Sequence, residues 1–175
     1  TTDAFTTALA ANSSAPTASS ANIAFVTFWF PMDNAPPAAI VASPLTLPKI
    51  ASSRSPSKLY LEQGSTIKVR DAINALIIKS ANDVATVVSE KISGSEREFA
   101  KLMTKYAKDL GMDSTTFKNA SGLPNRAQLT TARDIYKLSN ALITNFPQEY
   151  KLFSNTSFEW NGKVYKTHNK LMLSY

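Results

Sequence analysis

The stretch "VRDAINALIIKSANDVATVVSEKI", residues 69–92, sets the frame for the rest of the chain. Val69, Ile73, Leu76 and Ile77 fall at helical spacing, so a helix is expected from Val69 to Lys79. "NDVATVVSEKI" reads as a second helix that ends before Gly94. Between them stands Ser80-Ala81-Asn82. A junction between two helices is a rigid place from which a hydroxyl and an amide can be aimed together. Two readings of Ser80 are open. In one, Ser80-Ala81-Asn82-Asp83 is a capping pattern, and Ser80 accepts from the free backbone donors of the second helix. In the other, S-x-N is one part of a serine acyl-transfer site. The tripeptide also occurs at Ser20-Ala21-Asn22, but there it lies in a polar, low-complexity run with no helix to hold it.

Downstream, Ser95-Glu96-Arg97-Glu98 is a capping box in which Ser95 and Glu98 satisfy each other's backbone donors. It opens a third helix with Phe99, Leu102, Met103 and Tyr106 on its apolar face, stopped by Gly111. Thr131-Ala132-Arg133-Asp134 repeats the pattern and opens a fourth helix to about Asn145, before Pro147. "SFEWNGKVYK" then alternates around Asn161-Gly162, two residues that tolerate positive φ, and so reads as a β-hairpin. Upstream, Leu59 and Leu61 flank Tyr60 in a short strand or extended piece closed by a turn at Gln63-Gly64. The fold class expected is α+β, a helical cluster followed by a hairpin.

Residues 1–48 differ in character. They contain two charged residues, Asp3 and Asp33, and no lysine or arginine, so all 19 basic residues and the other 11 acidic ones lie in 49–175. The first 22 residues are rich in Ala, Thr and Ser, and a loosely ordered segment is expected there. The apolar run Ile23–Phe30 is too short to cross a bilayer as a helix. No basic region precedes it, which fits a secretory leader poorly. The expected organisation is therefore an atypical, poorly ordered segment over 1–48 and a coherent domain over 49–175.

The chain has 175 residues, no cysteine and a single histidine, His168. Disulfides, thiolate catalysis and cysteine- or histidine-rich metal sites are excluded. A Ser-His-Asp triad would have to use His168, which reads more simply as a packing or hydrogen-bonding residue. The formal charge is +6, but the basic residues are dispersed among acids without interleaved aromatics. No nucleic-acid partner is expected.

The order of several elements carries more weight than any one of them. "PSKL.L..G", "L...SANDVA", "F…LMTKYAKDLGM", "F.NASGLP", "TTARD" and "F.WNGK.Y…HNKL" follow one another from about residue 52 to 175. In that order they resemble the low-molecular-mass penicillin-binding proteins, the serine-type D-alanyl-D-alanine carboxypeptidases. The resemblance implies a partial β-lactamase/transpeptidase-like fold, mostly its helical subdomain plus a hairpin. It decides the two readings of Ser80 in favour of the family's S-x-N, with Ser80 and Asn82 as catalytic residues. The implied partners are peptidoglycan stem peptides and β-lactams, in an extracytoplasmic setting. Any membrane association would come from parts outside these residues, and no metal or cofactor is expected.

The family's reaction is acyl transfer: a serine in S-x-x-K attacks the carbonyl between two D-alanines, expels the last one, and water hydrolyses the acyl-enzyme. The family places S-x-x-K well upstream of S-x-N, here within residues 1–48, which hold no lysine. Ser55–Lys58 and Ser65–Lys68 match the letters only. Pro56 breaks the helical turn that would join the first pair, and the second reads as turn and strand. K-T-G would follow the "HN.L" element, and Lys166-Thr167-His168 has histidine in place of glycine. These residues are therefore expected to be inactive by themselves. The alternative is a non-catalytic pseudoenzyme that binds wall peptides or a protein partner.

Overall fold

A computed structural model describes residues 44–46 and 57–169. Most of residues 1–48, including Ile23–Phe30 and the second S-x-N, lies outside the described residues. Strand β1 (Leu45–Thr46) pairs antiparallel with β2 (Thr66–Ile67), Leu45 facing Ile67, and both residues are buried. Between the two strands, residues 57–62 run without regular structure to the turn at Gln63-Gly64, where Gly64 adopts φ 80° and the N–H of Ser65 donates to the Glu62 carbonyl (3.1 Å).

Helix α1 (Val69–Asn74) buries Val69, Ala72 and Ile73 and passes into a π-turn at Ala75–Lys79, where one regular helix was expected. Ala75, Leu76, Ile77 and Ile78 are all buried. A π-turn rotates successive residues by less than an α-turn does, so it keeps these four closer to one side. Helix α2 (Asn82–Ser93) is the centre of the fold: every residue from Asn82 to Ser89 is buried. A helix enclosed on all sides must satisfy its polar groups internally. Accordingly, the Thr86 hydroxyl donates to the Asn82 carbonyl (3.2 Å) and the Ser89 hydroxyl to the Thr86 carbonyl (2.8 Å).

Helix α3 (Glu96–Asp109) packs along α2 through Phe99, Ala100, Met103 and Ala107. Ser95 caps it, its hydroxyl accepting from the Glu98 N–H (3.2 Å). The return half of the expected box is replaced, because the exposed Glu98 carboxylate turns to Lys101 instead (2.7 Å). Helix α4 (Ala132–Asn145) is capped likewise by Thr131. Asp134 also leaves its box: its carboxylate accepts from the Ser114 N–H (3.0 Å) and the Thr115 hydroxyl (2.7 Å), which ties α4 to the loop after α3. A short α5 (Pro147–Tyr150) runs into a 3-10 turn (Lys151–Ser154). The hairpin follows as expected: β3 (Ser157–Trp160) and β4 (Lys163–Lys166) join through Asn161 and Gly162, both at positive φ. The result is the expected α+β mixture, helices around one apolar core that includes the buried α2, with two small two-stranded sheets.

Candidate active site

Ser80 ends the π-turn in the left-handed region, at φ 54° and ψ 46°, with its N–H bonded to the Ala75 carbonyl. Glycine usually occupies such a helix end, because a Cβ there is strained. A serine in this conformation costs roughly 1–3 kcal/mol, and such outliers cluster at functional sites. The side chain is buried, and its hydroxyl has no hydrogen-bond partner among the described residues. The capping reading of Ser80 does not match this geometry: Ala81 occupies the cap position of α2, and no side chain bonds the free donors there. Asn82 follows as the first residue of α2, also buried. Strain, burial and an unused hydroxyl thus meet beside an amide, at a junction with little freedom to relax.

The junction is held by a strap, residues 57–61, that crosses it. The Ser57 hydroxyl donates to the Lys79 carbonyl (2.7 Å), and the Asn82 N–H donates to the Ser57 carbonyl (2.8 Å). Asp83, fully buried, closes the strap from the other side. Its Oδ1 accepts from the N–H groups of Leu59 (3.1 Å) and Val84 (2.9 Å), and its Oδ2 from those of Leu59 (3.0 Å) and Leu61 (3.3 Å). A carboxylate collecting backbone donors in this way is among the stronger polar contacts a fold can make. Ser57 and Asp83 are therefore positioning residues for Ser80 and Asn82. Sequence reasoning quoted Ser57 within "PSKL" and Asp83 within "SANDVA", but gave neither a role beyond the capping pattern. Their partners are 22 to 24 residues away, beyond the reach of any local pattern.

The hairpin and the 3-10 turn pack against the π-turn, and the Asn155 amide donates to the Asn74 side chain (3.3 Å). The N–H of Thr167 donates to the Thr156 carbonyl (2.7 Å) and carries the ladder one step past β4. His168 is exposed and makes no hydrogen bond among the described residues, so it is neither the packing nor the bonding residue expected. Its imidazole is held below the usual histidine range, first by partial desolvation and second by the positive charge of Lys79. Ser65, in the second S-x-x-K match, sits in the exposed turn with its hydroxyl on the Glu62 carbonyl (2.7 Å), while Lys68 follows β2. That pair does not form a helical turn. Ser55 lies outside the described residues.

Comparison with known proteins points the same way as the ordered motifs. Residues 39–175 match the family described as D-alanyl-D-alanine carboxypeptidase, peptidase S11. The chain is 36% identical over 121 residues to the D-alanyl-D-alanine carboxypeptidase DacC of Escherichia coli (strain K12), covering 69% of this chain and 30% of that protein. Among solved structures, it superposes on the D-alanyl-D-alanine carboxypeptidase DacD from Francisella tularensis with a TM-score of 0.70 at 26% identity, over 85% of this chain and 36% of that one. Penicillin binding protein 5 from Haemophilus influenzae gives a TM-score of 0.74 at 25% identity, over 89% and 46%. The chain thus spans less than a third of the length of the curated relative.

Proposed function

Because the chain belongs to the D-alanyl-D-alanine carboxypeptidase family, we propose that its residues serve acyl transfer on the D-alanyl-D-alanine end of peptidoglycan stem peptides, outside the cytoplasm. In this reading Ser80 and Asn82 face the bound peptide together. The Ser80 hydroxyl relays a proton to the departing amine of the terminal D-alanine as the carbonyl becomes bonded to a nucleophilic serine. The Asn82 amide holds the peptide backbone of the substrate in line for that attack. Water then cleaves the acyl-serine ester and returns the proton along the same path. The observation that carries the reading is the strained, buried Ser80 hydroxyl, without a hydrogen-bond partner among the described residues, beside Asn82 in a tripeptide that resembles the family's S-x-N. A hydroxyl committed to capping would be fixed on a backbone donor. This one is left for a ligand.

No S-x-x-K precedes Ser80 within residues 1–48. A chain of these 175 residues retains only orienting and binding groups, and it does not turn over. Two measurements test the reading. Titration with a diacyl-lysyl-D-alanyl-D-alanine peptide is expected to shift the backbone amide signals of residues 80–82, and Asn82→Ala is expected to weaken that response. Absence of any shift there removes the assignment. Incubation with labelled penicillin followed by intact mass is expected to show no adduct, and a stable covalent adduct would overturn the expectation of inactivity.

The lysine-free first 48 residues also favour a second reading, a pseudoenzyme that binds wall peptides without chemistry. Peptide affinity unchanged by Ser80→Ala and Asn82→Ala would select it.

A further inference from the structure

We propose that Asn161 is a site of spontaneous deamidation, and that its conversion to isoaspartate opens the β3–β4 hairpin. Asn161-Gly162 is the only Asn-Gly pair in the 175 residues. Glycine presents its backbone nitrogen with no side chain to screen it. Nothing lies within 4 Å of the place a Cβ would take at Gly162. Both residues are exposed, at the tip that joins Trp160 to Lys163.

The two groups that must react are both unengaged. Among the described residues, the Asn161 side chain makes no hydrogen bond and the Gly162 N–H has no acceptor. Other asparagines are held. Asn119 accepts from the Gly122 N–H at Oδ1 (2.6 Å) and donates from Nδ2 to the Leu123 carbonyl (2.8 Å). The Oδ1 of Asn125 accepts from the Ala127 N–H (2.9 Å), and the Asn155 amide donates to Asn74 (3.3 Å). None of these four precedes a glycine.

The chemistry needs only water. Solvent base removes the Gly162 amide proton, and the nitrogen bonds to Cγ of Asn161. The Cγ–Nδ2 bond breaks, and the amide nitrogen takes a proton from water and leaves as ammonia. Water then opens the cyclic imide. Addition at Cγ gives aspartate. Addition at the main-chain carbonyl carbon gives isoaspartate, in which the chain runs through Cβ and Cγ. Water is consumed and ammonia released, with no change of oxidation state. The folded turn, at φ 48° and 70°, is shaped to join two strands, so attack waits on a brief opening of the tip. Loop tips lie at the low end of the range of local opening free energies.

The product does not fit the turn. Trp160 pairs with Lys163 and Glu159 with Val164 across a connection of two residues. Loop length fixes the register of a hairpin, and isoaspartate adds a backbone carbon to this one. The hairpin packs against the π-turn that ends at Ser80, so the change loosens a support of that turn.

The experiment incubates the full chain and a free peptide of residues 155–168 side by side in mildly alkaline buffer. Digestion, mass measurement and chromatographic separation of the two isomers follow the conversion. Asn161 is expected to show the mass gain of an NH2-to-OH exchange in both samples. The rate in the folded chain is expected within about thirtyfold of the peptide's, since the tip opens at little cost. Chain carrying isoaspartate is expected to exchange the amide hydrogens of residues 157–166 faster. Asn161→Asp keeps a residue that tolerates positive φ and is expected to fold normally without the mass gain. A folded rate more than about thirtyfold below the peptide's would overturn the proposal, because the turn would then protect the site. So would the same mass gain in Asn161→Asp, which places the reacting amide elsewhere, or hairpin exchange that isoaspartate leaves unchanged. None of these outcomes bears on the reading of Ser80 and Asn82.

Discussion

Replacing Ser80 by glycine should make the protein more stable and, on the proposed function, less able to bind a D-alanyl-D-alanine peptide. Three contributions set the magnitude. Releasing a non-glycine residue from the left-handed region returns roughly 1–3 kcal/mol. The added freedom of glycine in the unfolded chain takes back about 0.5–1 kcal/mol. The buried hydroxyl, which has no partner among the described residues, carries a desolvation cost of about 1–3 kcal/mol that disappears with it. Only part of that last contribution is recovered, because the methylene leaves with the hydroxyl. A net gain of about 1–2 kcal/mol follows, or roughly 2–8 °C in melting temperature for a chain of this size. Ser80→Ala keeps the strained backbone and loses only the hydroxyl, so its gain should be under about 1 kcal/mol. Thermal melts followed by circular dichroism at 222 nm measure both, and urea titration with an unchanged slope confirms that the folded state is the one altered. If Ser80 were a helix cap, both signs would differ: Ser80→Ala would cost about 0.5–2 kcal/mol. A fall of that size in Ser80→Ala, or a lower melting temperature in Ser80→Gly, refutes the reasoning.

Three further outcomes follow from the geometry. Asp83→Asn keeps the shape of the side chain but exchanges one acceptor oxygen for a donor facing the Leu59 and Leu61 N–H groups. It should cost about 2–4 kcal/mol and speed amide exchange at residues 59 and 61; a loss below about 1 kcal/mol would contradict the clamp. Met103→Ala, at one of the most deeply buried positions of α3, should cost about 2–5 kcal/mol in a denaturant titration. The His168 imidazole should titrate below the ordinary histidine range in a proton–nitrogen NMR titration. Lys79→Gln should restore only part of that shift, since desolvation is the larger cause. A lowered folded pKa means that the unfolded chain takes up the proton first. The contribution of His168 is therefore complete above the unfolded value and is lost as pH falls through it towards the folded one. His168→Gln should flatten the stability profile in that window.

How far the sequence reaches is visible residue by residue. Ser95 and Thr131 cap their helices as written, because a cap needs only a hydroxyl and a donor three residues on. The Asn161-Gly162 hairpin closes as written, because two adjacent residues supply the required φ angles. The ordered motifs from "PSKL" to "HNKL" identify the family, and with it the fold. Leu45 and Thr46, by contrast, pair with β2 although their segment has an unusual composition, a partnership that only an approach from 20 residues away creates.

The same limit divides the candidate site. Ser80-Ala81-Asn82 is readable as a motif, but its letters fit a helix cap equally well, and the backbone at Ser80 excludes that only once the π-turn is in place. The enclosure of α2 on all sides and the Asp83 clamp leave no local trace. Short-range structure is written in residues within about four positions of one another, where one hydrogen bond or one φ preference decides it. The strap across the junction is decided by donors and acceptors that meet only after the core has closed around them, so the tertiary structure alone could place the hydroxyl and the amide.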